Sequence, residues 1–161
     1  MKIALIAGEA SGDVLAAALM AALRERRPGV RFIGMGGPKM QAEGLDSWFD
    51  YSALSLFGFA EVITHLPGLF RLRRQLLQRL TEARPDVVIG IDAPDFNFGL
   101  ERRCRQAGLP VVGIIINQYP EQPNLAVRTN PEVIEAVSGK PILAKVPVIA
   151  DLASEAGRNA L

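Results

Sequence analysis

Three clusters of residues have the types and spacing for chemistry. The first is Gly8-Glu9-Ala10-Ser11-Gly12-Asp13. Its small residues allow a ligand to approach the backbone. A helix following it would offer unpaired N–H groups and a partial positive charge, which suits a phosphate. The run is neither G-x-G-x-x-G nor G-x-x-x-x-G-K-[ST], and no lysine stands ready for a β- or γ-phosphate, so an ATPase reading fails here. An ordinary strand-to-helix turn with a cap accounts for the same residues. Glu9 favours the functional reading slightly, because a carboxylate at a strand end is badly placed for packing and well placed for a ligand.

The second cluster is Gly90-Ile91-Asp92-Ala93-Pro94-Asp95-Phe96-Asn97. Asp92 directly follows an apolar run. At the edge of a sheet its carboxylate would be partly desolvated, which raises a carboxyl toward general-base range. A turn carboxylate bonded to local N–H groups is the competing reading. Asp95 reads as the cap of the next helix, and Pro94 stiffens the loop. The third cluster runs from Phe57 to Arg74, where apolar residues crowd together and basic ones follow. Such a helix can lie in a membrane interface, or hold acyl chains while its arginines meet anionic head groups. A core helix with a solvated basic side explains it too. His65 is the only histidine, and no second His or Cys stands near it, so no metal site is expected. Trp48, beside Phe49 and Tyr51, reads as a packing residue.

The elements that must position these residues follow from periodicity. Lys2 to Ala7 is a continuous apolar run, as a central parallel strand requires. It is also too short, and runs too directly into Gly, Glu and Asp, to be a signal peptide. Leu15, Leu19 and Leu23 then recur at helical spacing on one apolar face, with Ser11 or Asp13 as cap and Pro28-Gly29 as the end. Strands are expected at Arg31 to Met35, Asp86 to Ile91 and Pro110 to Ile116. Helices are expected over Met40 to Glu43, in two pieces within Glu61 to Ala83 broken at Pro67-Gly68, and over Phe96 to Ala107. Asp46 to Phe57 reads as extended chain or loop. The alternation predicts a Rossmann-like, doubly wound parallel α/β sheet with helices on both faces, as a single domain over residues 1–161. In such sheets ligands bind beyond the carboxyl ends of the strands, where the first two clusters would lie.

After Asn117 the character changes to a polar, proline-rich loop. Asn130-Pro131 then reads as a helix start, with an Asn cap and Pro at the first helical position, and Ser138-Gly139 as its end. Pro141 to Val148 reads as a last short strand. The net charge of +1 gives no global electrostatic case for nucleic acid. No apolar run is long enough to span a bilayer. The single cysteine, Cys104, lies among arginines and reads as a reduced thiol on a helix near the surface, which points to a cytoplasmic protein.

Taken together, "IALIAGEASGD", "GMGGPKMQAEG", "FGFAEV" and "PDVVIGIDAPDFN" stand in the order and spacing of lipid-A-disaccharide synthase. The resemblance covers about residues 1–112, leaving 113–161 as a divergent part. It implies half of a two-domain GT-B glycosyltransferase. The family's inverting transfer joins UDP-2,3-diacylglucosamine to 2,3-diacylglucosamine 1-phosphate, giving the lipid A disaccharide and UDP with no metal or other cofactor. It also implies a role for this half in handling the acceptor at the inner face of the inner membrane. Asp92 would be the general base for the acceptor's 6-hydroxyl, with Glu9 beside it in the site. Ser11, Gly12, Asp13, Asp95 and Asn97 would line the substrate. Phe57, Phe59, Val62, Ile63, Leu66 and Leu69 would face membrane and acyl chains.

The sequence departs from that family after the fourth expected strand, where Ile116-Asn117-Gln118-Tyr119-Pro120 replaces an S-P-x-x-W-A-W-type segment. The family's nucleotide-binding half has no counterpart here, so little turnover is expected of this chain alone. "GLPVVGIIINQYP" and "RTNPEVIEAVSGKPILAKVP" resemble the end of dethiobiotin synthase, in which Asn117 would contact adenine. That family needs a P-loop at its first strand, which is missing. A nucleotide-binding protein of that kind, or an inactive fused or designed scaffold, are the alternatives.

Overall fold

The computed structural model describes residues 1–51 and 62–148, in the second span with side chains from Pro67 onward. Within Met1–Val111 the elements are β1 (Lys2–Ala7), α1 (Ala10–Arg26), β2 (Arg31–Met35), α2 (Pro38–Ala42), β3 (Leu45–Phe49), α3 (Val62–Ala83), β4 (Val87–Ile91) and α4 (Pro94–Gln106). The strands form a four-stranded sheet in the order β3-β2-β1-β4, and each pairing is parallel. The chain steps outward twice from β1, then crosses back to place β4 on its other side. The strand order therefore reverses between β1 and β4, in register from Ile3 opposite Val87 to Ala7 opposite Ile91.

Alternation along the strands supplies two cores. Ala4 and Ile6 of β1, Ile33 and Met35 of β2 and Val88 of β4 pack with Leu72, Leu76 and Leu80 of α3 and Phe96, Leu100 and Cys104 of α4. Ile3, Leu5 and Ala7 point the other way, to Ala16 and Met20 of α1 and Met40 of α2. With both faces covered, β1 has to be apolar from Ile3 to Ala7. Each of its large side chains, Leu5 and Ile6 among them, contributes about 1.5–3 kcal/mol by leaving water. The parallel sheet flanked by helices is thus the architecture the alternation implied.

Several local expectations are corrected. On α1 the buried face is Gly12, Asp13, Ala16 and Met20, whereas Leu15 and Leu19 are 45% and 36% exposed. Small residues let this helix lie close to the strands, so its leucines fall outward. Neither Ser11 nor Asp13 caps it; its N-cap is Glu9, with no side-chain cap bond. The segment read as two helices is one, Val62–Ala83, with Pro67 inside. Pro67 lies in the second turn, where its missing N–H removes a single bond near the helix start. Two readings hold: the start of the stretch read as extended chain or loop lies in β3, and Trp48 packs on the core beside Phe49, with the Arg79 guanidinium over both rings. Cys104 is buried, not near the surface.

The expected strand Pro110–Ile116 divides. Leu109 and Val111 are buried in the first core, and the Val88 amide donates to the Pro110 carbonyl at 2.9 Å. The rest begins β5 (Ile114–Tyr119), which pairs in parallel with β6 (Ile142–Pro147) in a separate two-stranded sheet. These strands and α5 (Leu125–Ser138) belong to a second compact unit, Val112–Leu161, in place of a continued single sheet. Helix α5 starts earlier than Asn130: Asn124 caps it by accepting from the Val127 amide at 2.9 Å, and Pro131 is buried inside it. Its end at Gly139 is as expected, in the left-handed conformation at φ 64°. Among the described residues no helix is long and apolar enough to cross a membrane.

Candidate functional site at the carboxyl edge of the sheet

The strand order reverses between β1 and β4, and at the carboxyl ends of such a pair neighbouring connections leave in opposite directions, the place where open α/β sheets take ligands. The first two sequence clusters meet there. Ala7 and Ile91 are paired, so Gly8-Glu9 and Asp92-Ala93 leave adjacent strand ends. Glu9, Ser11, Asp92 and Asp95, in the segments that follow these two strand ends, are all exposed. The Ser11 hydroxyl, in the first turn of α1, donates to the Asp92 carboxylate.

Gly12 explains how the two ends come so close. A Cβ built there would stand 3.1 Å from the Ile91 carbonyl oxygen and 3.2 Å from the Asp92 Cβ. A hydrogen at this position lets the start of α1 approach the end of β4 without displacing either.

The backbone of the second cluster is held in an uncommon conformation. Asp92 and Ala93 both lie in the left-handed region, at φ 59° and 43°. Each such non-glycine residue costs about 1–3 kcal/mol unless its surroundings over-determine it. Asn97 supplies that restraint. Its buried side-chain amide donates to the carbonyls of Ile6 and Ile91, both at 3.3 Å, and of Asp92 at 2.7 Å. Asn97 therefore fastens the ends of β1 and β4 together instead of lining the substrate. Asp92 also accepts from the Ala93 amide at 3.0 Å. The Asp92 carboxylate is exposed and hydrogen-bonded, not partly desolvated as the sequence suggested.

Asp13 was expected beside a ligand and is 2% exposed. Its carboxylate accepts from the amides of Gly37 (2.9 Å), Lys39 (3.1 Å) and Met40 (3.0 Å). It caps the neighbouring helix α2, whose own N-cap, Gly37, has no side chain to do so. Asp95 is not the N-cap of α4, a position taken by Ala93; it sits in the first turn, where a negative charge suits the helix dipole.

Two further residues lie near this edge: Arg73, read in the sequence only as one of the arginines of the third cluster, and Glu101, which the sequence did not single out. Arg73 of α3 stacks over Phe96, 5.2 Å from the ring centroid, and its guanidinium donates to the Asp95 carbonyl. Gly99 leaves room for it, since a Cβ there would lie 3.0 Å from the Arg73 Cζ. Its signal in the sequence is nil, because the two partners lie on different helices. Glu101 lies one turn beyond Asn97. Burial pushes its carboxyl above the ordinary range, partly opposed by a hydrogen bond from the Gly90 backbone and by the Arg105 charge.

The acyl-contact set is only partly described. Phe57 and Phe59 lie outside the described residues, as do the side chains of Val62, Ile63, His65 and Leu66. Leu69 packs half-buried against the core, so it is not a free lipid-facing side chain. Asn117 is exposed on β5, in the second unit. Among the described residues no group of three His, Cys, Asp or Glu side chains converges as a metal ion would need.

A parallel sheet whose strand order reverses between β1 and β4, with an Asp–Ser pair across that point, defines a Rossmann-like α/β fold. Comparison with known families narrows the class. The model of the lipid-A-disaccharide synthetase family matches residues 3–117, and the chain belongs to that family. It is 57% identical over 112 residues to the lipid-A-disaccharide synthase of Pseudomonas aeruginosa strain LESB58, covering 70% of this chain and 30% of that protein. The corresponding protein of Azotobacter vinelandii is 56% identical with the same coverage. That of Pectobacterium atrosepticum is 49% identical, covering 70% of this chain and 29% of its own. The chain thus spans about three-tenths of the length of these curated relatives. The family match stops at residue 117, and the resemblance of the later segment to dethiobiotin synthase finds no support in these matches.

Proposed function

We propose that this chain acts as the acceptor-side part of a lipid-A-disaccharide synthase, with Asp92 as the general base. The observation that carries the reading is the meeting of Ser11 and Asp92 at the switch point, in a chain that belongs to this family. The acceptor is an acylated glucosamine phosphate whose hydroxyl displaces UDP from a diacylglucosamine donor. A carboxylate that is exposed, anchored by Ser11 and the Ala93 amide, and held on a restrained backbone suits proton removal from an incoming alcohol. As the acceptor oxygen attacks the anomeric carbon, its proton passes to Asp92 while the bond to UDP breaks. Glu9, at the end of β1, lies on the same edge and supplies a second carboxylate to the site. Phe57, Phe59 and the start of α3 would meet acyl chains at the cytoplasmic face of the inner membrane.

Binding of monomeric 2,3-diacylglucosamine 1-phosphate to the purified chain tests the reading, with glycosyl transfer by the full-length Pseudomonas aeruginosa relative as its companion. Saturable binding to the chain supports it. A cooperatively folded chain that does not bind the acceptor, or normal transfer by the relative with asparagine at the position aligned with Asp92, overturns it.

A further inference from the structure

Among the described residues, Asp92 and Ala93 are the only two consecutive non-glycine residues in the left-handed region. Asp92 has a local remedy. Its own carboxylate accepts from the Ala93 amide at 3.0 Å, the kind of short-range bond that lets aspartate tolerate this conformation. Ala93 has none, since a methyl group makes no hydrogen bond. What keeps the pair left-handed has to act from outside it.

Asn97 acts on both carbonyls of the pair. Its backbone amide donates to the Ala93 carbonyl at 3.0 Å, and its side-chain amide to the Asp92 carbonyl at 2.7 Å. The backbone bond is the ordinary one of a first helical turn, and any residue but proline would make it. The side-chain bond needs the amide. Its two N–H groups face three carbonyl oxygens, so the short bond to Asp92 takes one of them. The longer bonds to Ile6 and Ile91, both 3.3 Å, divide the other. Ile6 belongs to β1 and Ile91 to β4, so the clamp fixes Asp92 relative to two strands of the sheet. Gly90 makes room for it: a Cβ there would stand 2.9 Å from the Asn97 Cγ and 3.0 Å from its Cβ. The side chain is 3% exposed, so it is out of reach of a bound acceptor. The Asp92 carboxylate, by contrast, is exposed and bonded to the Ser11 hydroxyl. A backbone rotation at Asp92 swings its Cα–Cβ bond, and the carboxylate with it, away from Ser11.

We propose that Asn97 is a positioning residue for glycosyl transfer: its buried side-chain amide holds Asp92 and Ala93 in the left-handed conformation that aims the Asp92 carboxylate at the acceptor hydroxyl. This rests on the reading of Asp92 as the general base and names the residue that sets its aim. Asn97 touches no substrate and moves no proton; it acts through the backbone of the loop alone.

The test pairs Asn97→Ala with a second change, Ala93→Gly. The first deletes the clamp and keeps the backbone bond of the helix. The second lowers the cost of the left-handed conformation without adding a contact, because glycine enters that region freely. The double variant therefore recovers activity only if holding this conformation is what Asn97 does. Two measurements are made. In the full chain, isotopically labelled, three-bond NMR couplings at residues 92 and 93 read the backbone conformation. In the full-length Pseudomonas aeruginosa relative, steady-state glycosyl transfer with the same changes at the aligned positions reads the consequence. Asn97→Ala is expected to shift both couplings away from left-handed values. It should lower kcat on the order of 10²-fold, as displacement of a catalytic group does. The KM for acceptor should stay close to wild type. Adding Ala93→Gly should recover about tenfold in kcat, the usual penalty for a left-handed residue with a Cβ. If Asn97→Ala does not fold, Asn97→Ser carries the same comparison. Unchanged couplings, an unchanged kcat, a KM that rises in place of a falling kcat, or no recovery in the double variant would each overturn the proposal. A residue with a purely structural role would lower the urea midpoint and leave kcat alone. Failure of the base reading shows separately, as normal transfer with asparagine at the position aligned with Asp92 while the couplings at 92 and 93 still shift in Asn97→Ala.

Discussion

The Ser11 hydroxyl donates to the Asp92 carboxylate across 81 positions of sequence, joining the first turn of α1 to the end of β4. On the proposed reading, replacing the carboxylate removes the proton acceptor, whereas replacing the hydroxyl only loosens it. In the full-length Pseudomonas aeruginosa relative, asparagine at the position aligned with Asp92 should lower kcat by about 10²–10⁴-fold. Alanine at the position aligned with Ser11 should have a smaller effect. Steady-state transfer assays on both variants check this, and equal losses would mean that the pair acts structurally.

Gly12 is the closest approach between α1 and β4, so Gly12→Ala tests whether that approach matters. Its methyl would meet the Ile91 oxygen at 3.1 Å, and backbone rather than a flexible side chain would have to yield. A loss of about 1–3 kcal/mol is expected, the usual cost of overpacking. Urea denaturation measures it. An unchanged midpoint would show that the two ends can separate without penalty.

Asp13 contributes to stability by accepting from three backbone N–H groups. Asp13→Ala leaves them without their acceptor and should cost about 2–4 kcal/mol. Asp13→Asn should cost less. An amide oxygen in place of Oδ1 still accepts from Gly37 and Met40, while its NH₂ group opposes the Lys39 amide. Denaturation of both variants gives the order; an asparagine variant as unstable as alanine would refute the capping role.

The parallel sheet and the meeting of Glu9 and Asp92 at one edge were legible because apolar runs and loop composition are local signals. The roles of Asp13 and Asn97 were not. Both look like ligand residues in the sequence, yet each is buried against backbone groups of a distant element: Gly37 to Met40 for Asp13, Ile6 and Ile91 for Asn97. Spacing within one helix does not reveal which backbone amides or carbonyls the fold leaves unpaired nearby. The same limit misdirected the α1 face, where Leu15 and Leu19 carry the obvious period but Gly12 and Ala16 fit the sheet. The end of the first sheet was also hidden. Pro110 to Ile116 is uniformly apolar, and nothing in it marks the division between Val111 and β5.

Cys104 is fully buried, and burial, reinforced by the Glu101 charge, pushes its thiol up to about 12. The arginines beside it in sequence do not activate it. The folded chain should therefore resist a thiol reagent near neutral pH, with labelling limited by unfolding. Adding urea should raise the rate in step with the unfolded fraction. Rapid labelling without urea would place the thiol at the surface.

Glu101 makes stability depend on pH in the direction opposite to a salt-bridged carboxylate. Burial raises its folded-state value above the ordinary 4.5 that the unfolded chain should show. Between those two values the folded protein holds the proton and the unfolded chain has released it, so stability falls as pH rises through the window and levels off above it. Glu101→Gln keeps the shape, removes the titration and should abolish that slope, leaving the variant more stable than wild type on the alkaline side of the window. Urea midpoints for both proteins from about pH 4 to pH 8 read the difference directly. Parallel curves would mean that the Gly90 hydrogen bond and the Arg105 charge offset the burial of this carboxylate completely.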